Sequence, residues 1–279
     1  MAYDYELLKV ETEGRLAVVT IDNPPINLLT LPLYAQLEAL TAELKADPDL
    51  TVVVFKSADP DFFIAHFDVE AILQFPIDKP AERDPELNLY HIMCERVRTM
   101  DKVTIAQIEG RVGGGGSEFA ASMDMRFGVE GKTRINQMEV PLGILPGGTG
   151  TQRLPRLIGR ARAMEVILGA DDLDAVTAQR WGYLNRIFPA DEIAGWVDRF
   201  ARRIAGFPVE SVRLAKASIN AADQPLSEGL LEEAYLFQRL LRNDSAQANM
   251  RRYLEIGGQT REGELRVNEL NAELGNKAE

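Results

Sequence analysis

Cysteine is nearly missing from this chain: Cys94 is the only one in 279 residues, and there are two histidines, His66 and His91. A single cysteine excludes a disulfide framework and any cysteine-cluster metal site, and it fits a reducing compartment. Two histidines so far apart lack metal-ligand spacing, so no metal is expected. Basic residues are in deficit, 31 against 43 acidic, for a formal net charge of −12. Such a chain repels nucleic-acid backbones and anionic membranes overall, and neither is expected as a partner. Long hydrophobic runs are lacking too, since no stretch approaches the ~20 apolar residues of a membrane span. The chain begins Met1-Ala2-Tyr3-Asp4-Tyr5-Glu6, without the basic and apolar regions of a secretory signal, and a cytoplasmic protein is expected. Apolar residues nevertheless make up 46% of the chain. A chain of this length can bury about three quarters of its unfolded surface and needs no staples.

The hydropathy pattern changes period along the chain. Residues 5–10 and 15–21 read as strands on either side of Gly14, and Asn23-Pro24-Pro25 breaks the run. Leu33, Leu37, Leu40 and Leu44 recur at helical spacing, which predicts a helix over 31–46. Residues 51–57 suit a buried strand, 67–75 a short helix, 87–101 a helix and 103–108 a strand. Pro76, Pro80 and Pro85 stand among charges and predict an exposed, mobile connection over 76–86. This alternation argues an α/β fold up to about residue 188. Beyond it strand signals stop, and 190–205, 208–222, 225–242 and 244–256 read as helices. Pro208 and Pro225 suit first-turn positions, and Gly257-Gly258 ends the last helix. The expected division is an α/β core over 1–200 and a helical region over 201–279, with a polar tail from 259.

Two glycine-rich runs carry the chemical signal. Gly113 to Gly116 follow a strand and precede Ser117-Glu118-Phe119-Ala120, which predicts strand, glycine loop, helix. Backbone amides in such a loop and the positive end of a helix favour an anion or a developing oxyanion. A tight turn under close packing is the plainer alternative. A P-loop needs a lysine that is absent here, and a dinucleotide fingerprint fails because Glu118 stands where its last glycine belongs. The second run, Gly143-Ile-Leu-Pro146-Gly147-Gly148-Thr-Gly150, also introduces a helix, and Glu139 stands just before it. Each run therefore has a glutamate beside it. Two carboxylates next to amide-rich turns suit general acid–base work on an activated carbonyl compound.

At these residues the chain resembles the crotonase (enoyl-CoA hydratase/isomerase) superfamily, from about residue 10 to 245. The strongest pieces are Ile108-Glu-Gly110-Arg-Val-Gly-Gly-Gly-Gly-Ser-Glu118-Phe-Ala and Glu139-Val-Pro-Leu-Gly143-Ile-Leu-Pro146-Gly-Gly-Thr-Gly-Thr-Gln-Arg153-Leu. Leu157-Ile-Gly159-Arg-Ala161-Arg-Ala163 and Ala175-Val-Thr-Ala178-Gln-Arg-Trp-Gly182 support them. The resemblance implies a spiral of ββα units with a helical C-terminal region that mediates homotrimers, often paired into hexamers. It implies an acyl-CoA thioester substrate, with coenzyme A as part of that substrate and no separate cofactor. It further implies an oxyanion hole made of the main-chain amides of Phe67 and Gly115, and Glu118 and Glu139 as the two catalytic glutamates that hold the added water. Leu28, Ala65, His66, Asp68, Gly114, Pro146 and Gly147 match substrate-binding positions. Both glutamates together favour a hydratase, and Gly147 stands where a dienoyl-CoA isomerase would carry an aspartate.

Two features depart from the family pattern. His66 and Phe67 replace small residues in the loop that wraps the thioester, and their side chains could reshape the acyl pocket. A packed or surface imidazole is the alternative for His66, and a structural one for His91. Arg251-Arg252-Tyr253 runs through the C-terminal region without the Lys-Arg-x-Pro-x-Phe stretch of many hydratases. The implied activity is hydration of a 2-enoyl-CoA through a thioester enolate. The alternatives are an isomerase, a hydrolase or lyase acting on a carbon–carbon bond, or a catalytically silent scaffold. The last would be expected to have lost the glycines or glutamates.

Overall fold

The computed structural model describes residues 3–75 and 85–223, together with 235, 237, 239–240, 243–257, 259, 271 and 273–274. A larger sheet begins with β1 (Leu8–Glu13) and β2 (Leu16–Ile21), an antiparallel pair joined across Gly14. β2 then runs parallel to β3 (Val52–Ser57), and β5 (Val103–Ile108), β7 (Met125–Val129) and β10 (Arg186–Phe188) extend the sheet in that order. All six residues of β5, Val-Thr-Ile-Ala-Gln-Ile, are buried, as expected of a parallel strand covered on both faces. The first strand lies three residues later than its pattern suggested. Leu7 donates its amide to the Gln36 side chain, and pairing with β2 carries the polar run Glu11-Thr12-Glu13 along an exposed edge.

A smaller sheet of four short strands stands beside the first: β4 (Phe62–Ile64), β6 (Arg111–Gly113), β8 (Arg134–Asn136) and β9 (Leu173–Asp174), in that order. Strands of two or three residues are too short to show a period in sequence, which is why they escape hydropathy reading. They reveal the repeat: β3 leads to β4 and a helix, β5 to β6 and a helix, β7 to β8 and a helix. This is the expected spiral of ββα units.

The helices cover both faces of the larger sheet. α1 (Leu31–Ala46) starts at Thr30, whose hydroxyl accepts from the Leu33 amide, and buries Leu33, Leu37, Leu40 and Leu44. These leucines join one core with Ile21, Phe55 and Ile108. On the opposite face α8 (Ile193–Ala205) contributes Ile193, Val197 and Ala201 to a second core with Val52, Ile105 and Phe127. α8 runs across residue 200, with its apolar stripe on the sheet. α2 (Val69–Ile72) is shorter than the 67–75 expected, because Phe67 is extended and Asp68 caps the helix by accepting from the Glu70 amide. α3 (Leu89–Thr99) and α4 (Gly114–Ala121) follow. Every residue of α4 is buried, and Arg126 donates to the Met123 and Tyr183 carbonyls near its end at 2.7 Å each.

α5 (Gly150–Ile158), α6 (Arg160–Gly169) and α7 (Ala175–Trp181) complete the spiral. α9 (Val209–Asn220) begins directly after Pro208, and α10 (Asp244–Glu255) follows it among the helices whose ends are described. Residues 76–84 of the expected proline-rich connection lie outside the described residues. So do Pro225, most of the expected 225–242 helix and most of the tail. Tyr235 and Phe237 of that helix are described and exposed. Among the described residues no helix is long and apolar enough to cross a membrane.

Candidate active site

The site is assembled where the segment after β4 rests on the start of α4. Asn27, buried at a positive φ of 49°, anchors the chain before α1 by donating to the Ser57 hydroxyl and the Phe63 carbonyl. The next residues pair with the segment after β4: Leu29 donates its amide to the His66 carbonyl at 2.8 Å, and Asp68 donates to the Leu29 carbonyl at 3.1 Å. Successive groups of an extended chain face opposite sides, so the Phe67 N–H between these bonds points away from Leu29. Gly115 packs against Phe67 at this point, where a Cβ would lie 3.1 Å from the Phe67 Cβ. A Cβ on Gly116 would come within 2.6 Å of Ile64.

The glycine run therefore differs from the loop its sequence suggests. Gly113 ends β6, and Gly114, Gly115 and Gly116 are already the first turn of α4. The glycines are there because β4 and its continuation lie against them, so the close-packing reading and the amide-rich reading both hold. The first amides of a helix have no intrahelical acceptor, and Gly113 offers no side-chain cap. Gly115 therefore presents a main-chain donor beside Phe67.

Glu118 follows Gly115 by one helical turn and so shares its face. It is 4% exposed, and its Oε1 accepts the amides of Gly148 at 2.8 Å and Gly150 at 2.7 Å. Burial raises its pKa, while the amides from the second glycine run act against that rise. Glu139 reaches the same place from the other side, at the entry of a short 3₁₀ turn (Val140–Leu142). It is 8% exposed, and its Oε2 has no hydrogen-bond partner among the described residues. Burial, and secondarily the charge of Glu118, push its pKa up to about 7. Burial thus raises both carboxyl groups, and their hydrogen bonding differs: two amides oppose the rise at Glu118, whereas Glu139 Oε2 has no partner among the described residues.

Phe67, Gly115, Glu118, Glu139 and Gly147 all line one cavity of about 540 Å³. Its remaining wall is largely apolar, with Leu31, Ile72, Leu89, Ile144 and Leu145. The Phe67 ring is inside it, with its centroid 6.4 Å from Tyr34, 6.5 Å from Phe75 and 6.3 Å from Tyr90. The other matched residues stand behind the wall. His66 bonds the Phe67 carbonyl through Nδ1 at 2.8 Å, and its Cβ faces Gly114. Ala65 is buried against Gly113, Pro146 is buried against Gly150, and Asp68 caps α2. The Leu28 carbonyl takes a hydrogen bond from Asn23. Tyr34 and Tyr90 are wall residues that sequence reasoning missed, since neither belongs to a glycine run. Gly148 and Gly150 lay in the quoted motif without an assigned role. A second cavity of about 550 Å³, lined by Arg98, Asp124 and Lys216 among others, contains neither glutamate. Among the described residues no cluster could hold a metal ion.

Comparison with known proteins identifies the family. A sequence profile of the enoyl-CoA hydratase/isomerase family matches residues 11–261. A protein of Rhizobium meliloti named "Probable enoyl-CoA hydratase" is 32% identical over 250 residues, covering 88% of this chain and 94% of its own. The short-chain-enoyl-CoA hydratase of Clostridium acetobutylicum is 31% identical, over 77% of this chain and 81% of its own. The crystal structure of an enoyl-CoA hydratase from Geobacillus kaustophilus superposes with a TM-score of 0.82 at 29% identity, over 92% of this chain and 96% of that one. With the profile spanning most of its length and its two glycine runs each placing a glutamate on one cavity, the chain belongs to the enoyl-CoA hydratase/isomerase family.

Proposed function

We propose that this enzyme adds water across the double bond of a 2-enoyl-CoA thioester. The observation that carries the reading is a pair of buried glutamates, one held by two amides and the other with an unpartnered oxygen, beside Phe67 and Gly115 on one largely apolar cavity. In this reading the thioester oxygen lies between the amides of Phe67 and Gly115. The partial positive charge at the start of α4 supports the same oxygen. Glu118, ionised, accepts a proton from water as the water oxygen bonds to Cβ. The π electrons move through Cα to the thioester oxygen, where two fixed donors stabilise the enolate without reorganising. Glu139, protonated, delivers its proton to Cα as the thioester carbonyl re-forms. One water has been added, and passage of a proton from Glu118 to Glu139 restores the starting state. The apolar wall strengthens each of these interactions by excluding bulk water.

The test is turnover of a panel of enoyl-CoA thioesters of different chain length, followed by mass spectrometry. A gain of one water is the expected result. Migration of the double bond without change of mass would move the assignment to an isomerase, and no reaction across the panel would overturn it. The reading also carries a homotrimer or a pair of trimers. Its support here is family membership together with two large exposed side chains of the C-terminal region, Tyr235 and Phe237, which a partner copy would cover. A monomeric mass by light scattering at micromolar concentration would refute that assembly.

A further inference from the structure

The first turn of α4 is poorly equipped to hold an amide still. Three consecutive glycines have the highest backbone freedom of any residue, and no side chain caps them. Something outside the helix must fix Gly115 if its N–H is to act on a carbonyl with the precision that electrostatic stabilisation requires. The structure supplies a contact from α3. The Tyr90 hydroxyl donates to the Gly115 carbonyl at 2.6 Å. The same ring also touches the other glycine run: a Cβ on Gly148 would lie 2.7 Å from Tyr90 Cε1 and 2.5 Å from Glu118 Oε2. Gly148 is one of the two residues whose amides hold Glu118. The next residue of α3 repeats the arrangement, since His91 Nε2 lies 2.7 Å from the Gly147 carbonyl, which can only accept. The Asn88 side chain accepts from the His91 amide at the start of the helix and fixes that end.

We propose that Tyr90, assisted by His91, is a positioning residue that locks the two glycine runs in register. It holds the Gly115 amide against the thioester oxygen and the Gly148 amide against Glu118. The inference rests on the hydration reading for the identity of the reacting atoms. Tyr90 needs no contact with the reacting atoms to do this. Its hydroxyl is occupied by the Gly115 carbonyl, and its ring is wedged between Gly148 and Phe67. The ring thereby ties α3 to both halves of the catalytic apparatus. No glycine motif contains it, which explains why the glycine pattern alone gives no hint of it.

The experiment compares wild type, Tyr90→Phe and His91→Ala on whichever enoyl-CoA the wild type hydrates best. Tyr90→Phe keeps the ring and removes one hydrogen bond. Its kcat is expected to fall about 3- to 10-fold, the range that one neutral hydrogen bond spans, with KM nearly unchanged. A 3-oxoacyl-CoA provides a readout independent of the glutamates' proton transfers to substrate. Its enolate carries charge on the thioester oxygen and absorbs in the ultraviolet, so the enolate fraction bound to the enzyme reports on the two amides. That fraction is expected to drop in Tyr90→Phe. His91→Ala, changed at the outer end of the same contact, is expected to lower kcat with KM again retained, and it tests the clamp if Tyr90→Phe fails to fold. Wild-type kcat and an unchanged enolate fraction in Tyr90→Phe would overturn the proposal. So would parallel changes in KM and kcat in both variants, which would point to general loosening. Failure of the wild type to hydrate any thioester would instead overturn the hydration reading and is recognised before any variant is compared.

Discussion

Glu139→Gln separates two consequences of one buried carboxyl group. Glutamine keeps the shape and neutrality of the protonated acid but has no proton to deliver, so kcat should fall about 10²- to 10⁴-fold, the usual contribution of a positioned acid or base, with KM little changed. The effect on stability has the opposite sign. The carboxyl is 8% exposed, and its pKa rises from the ordinary 4.5 to about 7 on folding. Below 4.5 folded and unfolded chains both hold the proton, and the site costs nothing. Between 4.5 and about 7 the folded chain keeps a proton that the unfolded chain has lost, so wild-type stability falls as pH rises. Above about 7 the whole cost is in place. At 1.36 kcal/mol per pH unit it amounts to about 3 kcal/mol. Glu139→Gln should therefore be more stable than wild type by up to about 3 kcal/mol at pH 8, and the gain should vanish near pH 4. Urea unfolding of both proteins at several pH values measures this directly. A difference independent of pH, or a variant less stable at pH 8, would show that folding does not raise the pKa of Glu139.

Glu118→Gln should lower turnover by a similar factor, measured by product formation with binding of a saturated acyl-CoA as control, because the neutral amide cannot take the proton of water. Activity should require ionised Glu118 with protonated Glu139, so the pH profile of kcat/KM should decline on the alkaline side with an apparent pKa near 7 that belongs to the pair. Gly116→Ala places a methyl group 2.6 Å from Ile64, and overpacking of this kind should cost about 1–3 kcal/mol in chemical denaturation. His66→Gly combined with Phe67→Ala should change the ranking of short, long, branched and aromatic enoyl-CoA substrates. The Phe67 ring lines the cavity, and a wild-type ranking in the double variant would reduce both rings to packing.

The parts of the fold that could be read in advance are those with a long enough period. The four leucines of α1 repeat over about three turns, and the expected bounds of 31–46 match the helix. β5 stands out because a strand buried on both faces is apolar throughout. The smaller sheet escaped because its strands span two or three residues and pair with strands distant in sequence. The glutamates were legible because each sits beside a glycine run. Of the aromatic wall only Phe67 was legible, because Tyr34, Phe75 and Tyr90 come from separate segments and meet it only in space. The reason for the glycines was half visible. Their backbone amides could be inferred, but the pressure of Ile64 and Phe67 on them depends on where β4 runs.

If the proposed hydration holds, the different hydrogen bonding of the two glutamates is what sets one as base and the other as acid at one pH. Two identical carboxyl groups in one apolar cavity would share a single proton without preference. Here Glu118 receives two amides on one oxygen, whereas Glu139 Oε2 has no partner among the described residues. A charge-assisted hydrogen bond is roughly twice as strong as a neutral one, so the paired amides oppose the burial that raises the Glu118 pKa and favour charge there over charge on Glu139. Burial first, and then that charge, raise the pKa of Glu139. In the hydration reading, the proton is thereby directed to the glutamate that delivers it to Cα. The turn from Gly147 to Gly150 sets this asymmetry through its backbone, so substitutions there can exchange the roles of two residues they do not replace.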